Sequence, residues 1–398
     1  MPDLDPAEAQ APDALTNPSP AAAGHAALRE PAKPPTKGTA ITLSGGGFRA
    51  MLFHLGFVWR LRDAGMLQAI DRVASVSGGS ITAGMLAVAW PKIDFADQGE
   101  SFRELVAGPI LSLADEHVDI LAGALGRIPA LSGKWVRGVY DEKLYHFAKL
   151  TDLPVKPRFV FNATSMHSGK LVRINREYFA DWTTGMWSVE DLGVADAVAA
   201  SSAFPPVLSP VVFDLDGRTF TPFLPKKPGD RQPYPPPEKL FLTDGGVYDN
   251  LGIEAVWKSN LTIYVSDAGA AFKYAADGHY AMTLQALQVT SVMQDQIGAL
   301  RFRQILEAFT AAPGSLEHRK GFLVSSDFLL NPPPAGSPAY NTAHALALAA
   351  TPTRLDRLDP GEAQALVNWG YISTDHRIRK AGDLPIGHCA LPYPAHPV

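Results

Sequence analysis

Apolar and polar positions along the chain follow two periods. Residues 39–43 form a short β-branched run that feeds into three glycines. Beyond them Phe48, Met51, Leu52, Leu55, Val58 and Leu61 recur at helical spacing, and Gly65 is placed to end that helix. A second short run, 73–76, carries the chain into Ser77-Gly78-Gly79-Ser80, with a further helix predicted over about 80–90. A strand-helix-strand crossover returns the chain to the same end of a parallel sheet. The two sharp turns are therefore expected at one sheet edge.

The later pattern repeats the alternation. Residues 102–113 and 118–125 read as helical, within a segment (91–150) that is either an insertion covering the site or, as apolar positions on short helices more often are, plain core. Residues 158–163 are a buried-type strand, with 170–174 as its hairpin partner across Ser168-Gly169. An alanine-rich helix over 194–203 stops at Pro205-Pro206. The proline-dense stretch 221–238 predicts no regular structure, and it borders the next strand, 239–243, which runs into Asp244-Gly245-Gly246. A strand over 261–265, a long amphipathic helix within 282–309, a strand over 321–324 and helices over 342–350 and 360–369 complete the reading. On that helix Leu284, Leu287, Ile297, Leu300, Ile305 and Phe309 fall on related faces. No internal repeat is present. Strands alternating with helices predict an α/β fold, a three-layer α/β/α sandwich with a mostly parallel central sheet.

Composition narrows the function. The 398 residues, 46% of them apolar, suffice for a substantial core, and a net charge of −5 without a basic block gives no reason to expect nucleic acid. Cys389 is the one cysteine, so no intrachain disulfide can form, and a reduced, cytoplasmic setting is expected. No apolar run approaches the roughly 18 residues of a membrane span. The longest apolar tract, 193–213, is broken by Asp196, Pro205, Pro206 and Pro210. The N-terminus lacks a signal-peptide pattern. Residues 1–37, rich in Ala, Pro, Asp and Glu, read as a disordered leader ahead of one domain over 38–398.

Three groups can do chemistry. Ser77 ends a short strand between small neighbours. It fits either a nucleophile on a strand-to-helix elbow or a cap of the next helix. Gly45-Gly46-Gly47 is neither a Walker loop nor a dinucleotide fingerprint, and its N–H groups suit a phosphate or an oxyanion. Arg49, on the first helical turn, adds positive charge there, anchors a substrate phosphate, or makes a surface salt bridge. A base is needed too. His54 falls inside the first helix and reads as structural, whereas Asp244 ends a strand before two glycines and can accept a serine proton directly. Asp-Gly-Gly is also ordinary turn chemistry.

Taken together, SGGGFR, a glycine-flanked serine about thirty residues later and a strand followed by DGG far downstream resemble the patatin-like phospholipase family. That family is similar to the cytosolic phospholipase catalytic domains that share its Ser-Asp dyad. Residues 198–205 (VAASSAFP) look like the family's alanine-serine-proline segment, and Asn162-Ala163-Thr164 like its central strand. The pattern departs at Ser75, where the elbow has a glycine, and at Ala50, where a glycine often closes the first motif. The resemblance spans about 39–270, and the remainder is expected to complete the same domain. It implies Ser77 as nucleophile, Asp244 as base, and Gly45, Gly46 and Gly47 as the oxyanion hole with Arg49 beside it. The implied substrate is a phospholipid, lysophospholipid or other lipid ester, with peripheral membrane contact and no metal or organic cofactor. Acyl transfer to an acceptor other than water, and a catalytically silent lipid-binding module, are the alternatives.

Overall fold

The computed structural model describes residues 33–118, 131–205, 208–223, 232–269 and 282–398. From β1 (Thr39–Leu43) the sheet extends to β2 (Arg72–Ser75) and β3 (Arg158–Ser165) on one side. On the other side lie β10 (Thr262–Asp267) and β11 (Lys320–Ser325), and all five strands are parallel. Beyond β3 the order continues antiparallel through β4 (Leu171–Ile174), β5 (Phe179–Asp181), β6 (Gly185–Trp187) and β8 (Phe220–Pro222). A last pair, β7 (Val211–Asp214) and β9 (Lys239–Asp244), joins the sheet through β9 and β3.

The parallel strands are buried on both faces, as their unbroken apolar runs require. Ile41 and Leu43 enter one core with α1 (Gly47–Asp63), α2 (Gly78–Ala89) and α9 (Pro360–Ala381). Ala40, Ala74, Val160, Ile263 and Val265 enter a second core with Ile253, Val256 and Ile305. Two cores on opposite faces make three layers. Ile305 comes from α7 (Met282–Thr310), whose Leu300, expected on the same apolar face, is 59% exposed.

α1 is more deeply set than a one-sided apolar stripe predicts. Its residues from Gly47 to Arg62 are all buried, because α9 lies across its far side. Contact is backbone to backbone: a Cβ on Gly56 would overlap the Val367 carbonyl oxygen, and one on Gly370 that of Phe53. Burying Arg60 demands partners. Its guanidinium donates to Asp375 Oδ1 at 2.8–2.9 Å and to the Ile386 carbonyl at 2.6 Å.

Other expectations shift. Thr221 and Pro222, read as irregular, belong to β8, which pairs with β6. The helix expected to end at Trp369 runs to Ala381, where Gly382 stops it in a left-handed conformation. Gly65 ends α1 as expected, with φ +70°. The helix expected over 118–125 lies, from 119 on, outside the described residues, as do residues 1–32 of the leader and 224–231 of the proline-dense stretch.

Candidate active site

The sheet register brings the two ends of the site together. Ser75 of β2 and Ile174 of β4 flank Phe161 of β3 from opposite edges. Two residues further, Ala163 has Val172 on the β4 edge and Asp244 on the other. β9 therefore takes the place beside β3 that β2 vacates when it turns off into Ser77. Had β2 run on, its residue 77 would have faced Ala163. Asp244 stands there instead, next to the turn that displaced it.

Ser77 makes that turn with φ 50° and ψ −121°, a strained conformation for a residue with a side chain. Its N–H donates to the Ser201 carbonyl at 3.2 Å and to Ser201 Oγ at 3.1 Å. Gly245 N–H donates to that same carbonyl at 3.2 Å, and Asp244 N–H to the Ala203 carbonyl at 3.0 Å. The C-terminus of α5 (Val194–Ser201) thus ties the elbow to the aspartate strand. Behind it, Ser201 Oγ lies 2.8 Å from Ser80 Oγ, which donates to Ser75 Oγ at 2.9 Å. The serine in place of the elbow's glycine is accommodated by this hydroxyl chain.

Asp244 is 2% exposed. Its Oδ1 accepts the Gly246 N–H at 2.7 Å, while Oδ2 is buried with no hydrogen-bond partner. Burial pushes its pKa up to about 7, against the Gly246 amide and the nearby Ser77 hydroxyl, which favour the charged form. Ser77 is thus close enough to bias the carboxyl, yet short of a formed hydrogen bond.

The glycine turn lies against the elbow. A Cβ on Gly45 would come within 3.1 Å of Ser77 Cβ, and one on Gly78 would overlap the Gly47 carbonyl oxygen. Gly47 and Gly78 are the first residues of α1 and α2, so two helix N-termini converge on the serine. Among the described residues, the N–H groups of Gly46, Gly47 and Gly78 have no acceptor.

Gly45 and Arg49 differ from what the motif implied. Gly45 N–H already donates to the Asn250 carbonyl at 3.1 Å. Arg49 is 3% exposed, and its guanidinium donates to the carbonyls of Ala349 (2.7 Å), Thr351 (3.1 Å) and Ala268 (2.6 Å). The reason is its depth: no solvent-facing salt bridge is open to it, and it straps the glycine turn to the ends of β10 and α8 (Thr342–Ala349). His54 is structural. Its ring joins Ser266 Oγ (2.8 Å) to the Ser44 carbonyl (2.9 Å), and burial pushes its pKa down to about 3, which keeps it neutral.

Sequence reasoning missed three contributors. The Gly78 amide is signalled by its place just after the serine, at the first residue of a helix. Ser201 lies in the quoted alanine-serine-proline segment, but its two-way tie needs the fold. Asn250, whose Oδ1 sits against Gly45 and Gly246, carries no local signal.

By sequence, the chain matches none of the curated proteins. Human GIVD cytosolic phospholipase A2 is similar in fold, with a TM-score of 0.50 at 13% identity; the match covers 85% of this chain and 59% of that one. The same human enzyme in complex with methyl gamma-linolenyl fluorophosphonate gives 0.49 at 12%, over 87% and 58%. The chain thus spans under two thirds of the human enzyme's length, and likeness at such identity concerns the fold alone. A family model described as patatin-like phospholipase matches residues 41–257, more than half of the chain. With the expected motifs inside that match, the chain belongs to the patatin-like phospholipase family.

Proposed function

We propose that this protein is a serine acyl hydrolase that cleaves a lipid ester, with Ser77 as nucleophile and Asp244 as its base. The observation that carries the reading is the buried, unpartnered Asp244 Oδ2 beside a serine held at positive φ. A buried acceptor without a partner is costly, and a proton arriving from Ser77 relieves that cost.

Ser77 Oγ attacks the ester carbonyl carbon while its proton passes to Asp244. The oxyanion takes the free amides of Gly46, Gly47 and Gly78, strengthened by the two helix N-termini. Collapse of the intermediate breaks the C–O bond, and Asp244 returns the proton to the departing alcohol. Water then gives its proton to Asp244, attacks the acyl-Ser77 carbonyl, and releases the fatty acid as Ser77 regains its proton. A base with pKa about 7 suits both directions of transfer near neutrality. Gly45 contributes space for Ser77, and Arg49 fixes the turn. Peripheral contact with a lipid surface belongs to this proposal. It draws support from Phe204, 45% exposed and adjacent to the Ala203 carbonyl that binds Asp244 N–H.

A fluorophosphonate probe and a lipid-panel hydrolysis assay test the reading on the native protein, Ser77→Ala and Asp244→Asn. Labelling and turnover are expected for the native protein alone. Labelling that persists in Ser77→Ala, or native turnover in Asp244→Asn, would overturn it.

A further inference from the structure

On the reading of Ser77 as nucleophile and Asp244 as base, on which this inference rests, Asp244 takes one hydrogen of the water that frees the acyl group. The other hydrogen also needs an acceptor, since an unpaired donor in a buried site is costly. Asn250 has one to offer.

Asn250 reaches the site through the chain that follows Asp244. The helical turn Gly246–Asp249 brings residue 250 round above residue 246. Its backbone is pinned. The Asn250 carbonyl accepts the Gly45 N–H at 3.1 Å, and beside it Asp249 Oδ2 accepts the Glu254 N–H at 2.8 Å. Arg301 of α7, itself buried, donates from Nη2 to Glu254 Oε2 at 3.1 Å.

Three glycines locate the carboxamide. A Cβ on Gly45 would overlap Asn250 Oδ1 and lie 3.1 Å from Ser77 Cβ. One on Gly246 would lie 2.6 Å from Asn250 Oδ1 and 3.0 Å from Asp244 Oδ1. On the other side, one on Gly269 would lie 2.9 Å from Asn250 Nδ2 and 3.1 Å from Asp267 Oδ1. The amino edge of the carboxamide therefore faces a carboxylate, and its oxygen edge faces Ser77 and Asp244. Asn250 is half-buried, and among the described residues neither side-chain atom has a hydrogen-bond partner. The carboxamide spends no hydrogen bond on structure, and its acceptor stands open beside the two reacting side chains.

We propose that Asn250 is a further catalytic residue, its Oδ1 accepting a hydrogen bond from the water that attacks the acyl-Ser77 carbonyl. One water hydrogen points at Asp244 Oδ2 and the other at Asn250 Oδ1, which turns the oxygen lone pair toward the carbonyl carbon. As the new C–O bond forms, the first proton passes to Asp244. As the bond to Ser77 Oγ breaks, Asp244 returns that proton to Oγ. The second hydrogen stays on the released carboxylic acid, so atoms and charge balance without another proton donor. Acylation of Ser77 uses no water, and Asn250 has no part in it.

Turnover of an activated p-nitrophenyl ester by the full chain, with rapid-quench mass measurement of acyl-Ser77, tests the proposal. In Asn250→Ala the acyl-enzyme is expected to accumulate and to decay about tenfold or more slower than in the native protein. kcat and KM fall in parallel, so kcat/KM and the rate of fluorophosphonate labelling stay within about twofold. A merely structural residue would lower labelling and kcat/KM together with kcat. Asn250→Asp keeps an oxygen at the same reach and is expected to restore most of the lost decay rate above its acid limb. That limb moves to higher pH, because a second carboxylate disfavours ionisation of Asp244. Unchanged decay in Asn250→Ala, a parallel loss of labelling, or decay as slow in Asn250→Asp as in Asn250→Ala overturns the proposal. A native protein that neither labels nor forms acyl-Ser77 overturns the hydrolase reading itself, an outcome distinct from every variant result.

Discussion

The chain builds two strand–turn–helix units side by side, and they solve one steric problem in different ways. After β1 the positive φ angles fall on Gly46 (146°) and Gly47 (62°), where no side chain resists them. After β2 the positive φ falls on Ser77 (50°), at a cost of about 1–3 kcal/mol. The first turn offers amides only and can be made of glycine. The second carries the hydroxyl of the proposed nucleophile, and the strain stays. The packing around Ser201 and the glycine turn holds it in place. On the proposed reading, strain is kept at the reacting hydroxyl and removed where backbone suffices.

The comparison can be broken at its centre. Ser77→Ala and Ser77→Gly are both expected to lose turnover by about 10⁴-fold or more in a phospholipid or p-nitrophenyl ester assay. They should differ in stability. Glycine accepts φ 50° and alanine does not, so Ser77→Gly melts a few degrees above Ser77→Ala by calorimetry.

Asp244→Asn removes the proposed base and is expected to cost about 10²–10⁴-fold in turnover. On the proposed mechanism the native enzyme should show an acid limb in kcat/KM with a midpoint near pH 7, since Asp244 as base would have to be ionised to accept the proton. Linkage gives a second sign. The folded pKa is raised above the ordinary carboxylate value, so the folded state holds this proton more tightly than the unfolded chain. Its contribution to stability is present at low pH and is lost as pH rises from about 4 through about 7. Asp244→Asn, which cannot ionise, should melt higher than the native protein above pH 7.

Gly78→Ala sharpens the contrast between the turns. A methyl there meets the Gly47 carbonyl, spreads the two helix starts and misplaces the amides. The expected loss is about 10²–10³-fold in kcat, with a lowered Tm. Arg49→Gln is expected to act more weakly, about tenfold in kcat with an unmoved pH midpoint, because three carbonyls lose their donor while the reacting groups remain. Arg49→Lys should not rescue it, since one ammonium lacks the fork that reaches all three.

What the sequence made legible is what depends on near neighbours. The run from β1 to α2 could be read because each element is short, strongly patterned and punctuated by glycine. Asp244 could be read because a buried strand ends on it. The remainder depends on long-range placement. β5, β6 and β8 are three residues each, too short for alternation to register. Nothing near Lys239 announces that β9 will slot in beyond β2. The partners of Arg49 are not legible from sequence because they lie 219 to 302 residues away.

The glycine crossing between Gly56 and Gly370 bears on where this enzyme can be cut. Residues 41–257 hold every motif, yet the helix that follows the glycine turn is clasped from behind by a segment more than a hundred residues past that boundary. A fragment trimmed to the motifs would bare the flank of that helix and strand Arg60 without its counter-ion. The minimal catalytic unit therefore reaches into the C-terminal tail, and a protease that nicks the tail would silence a site it never touches.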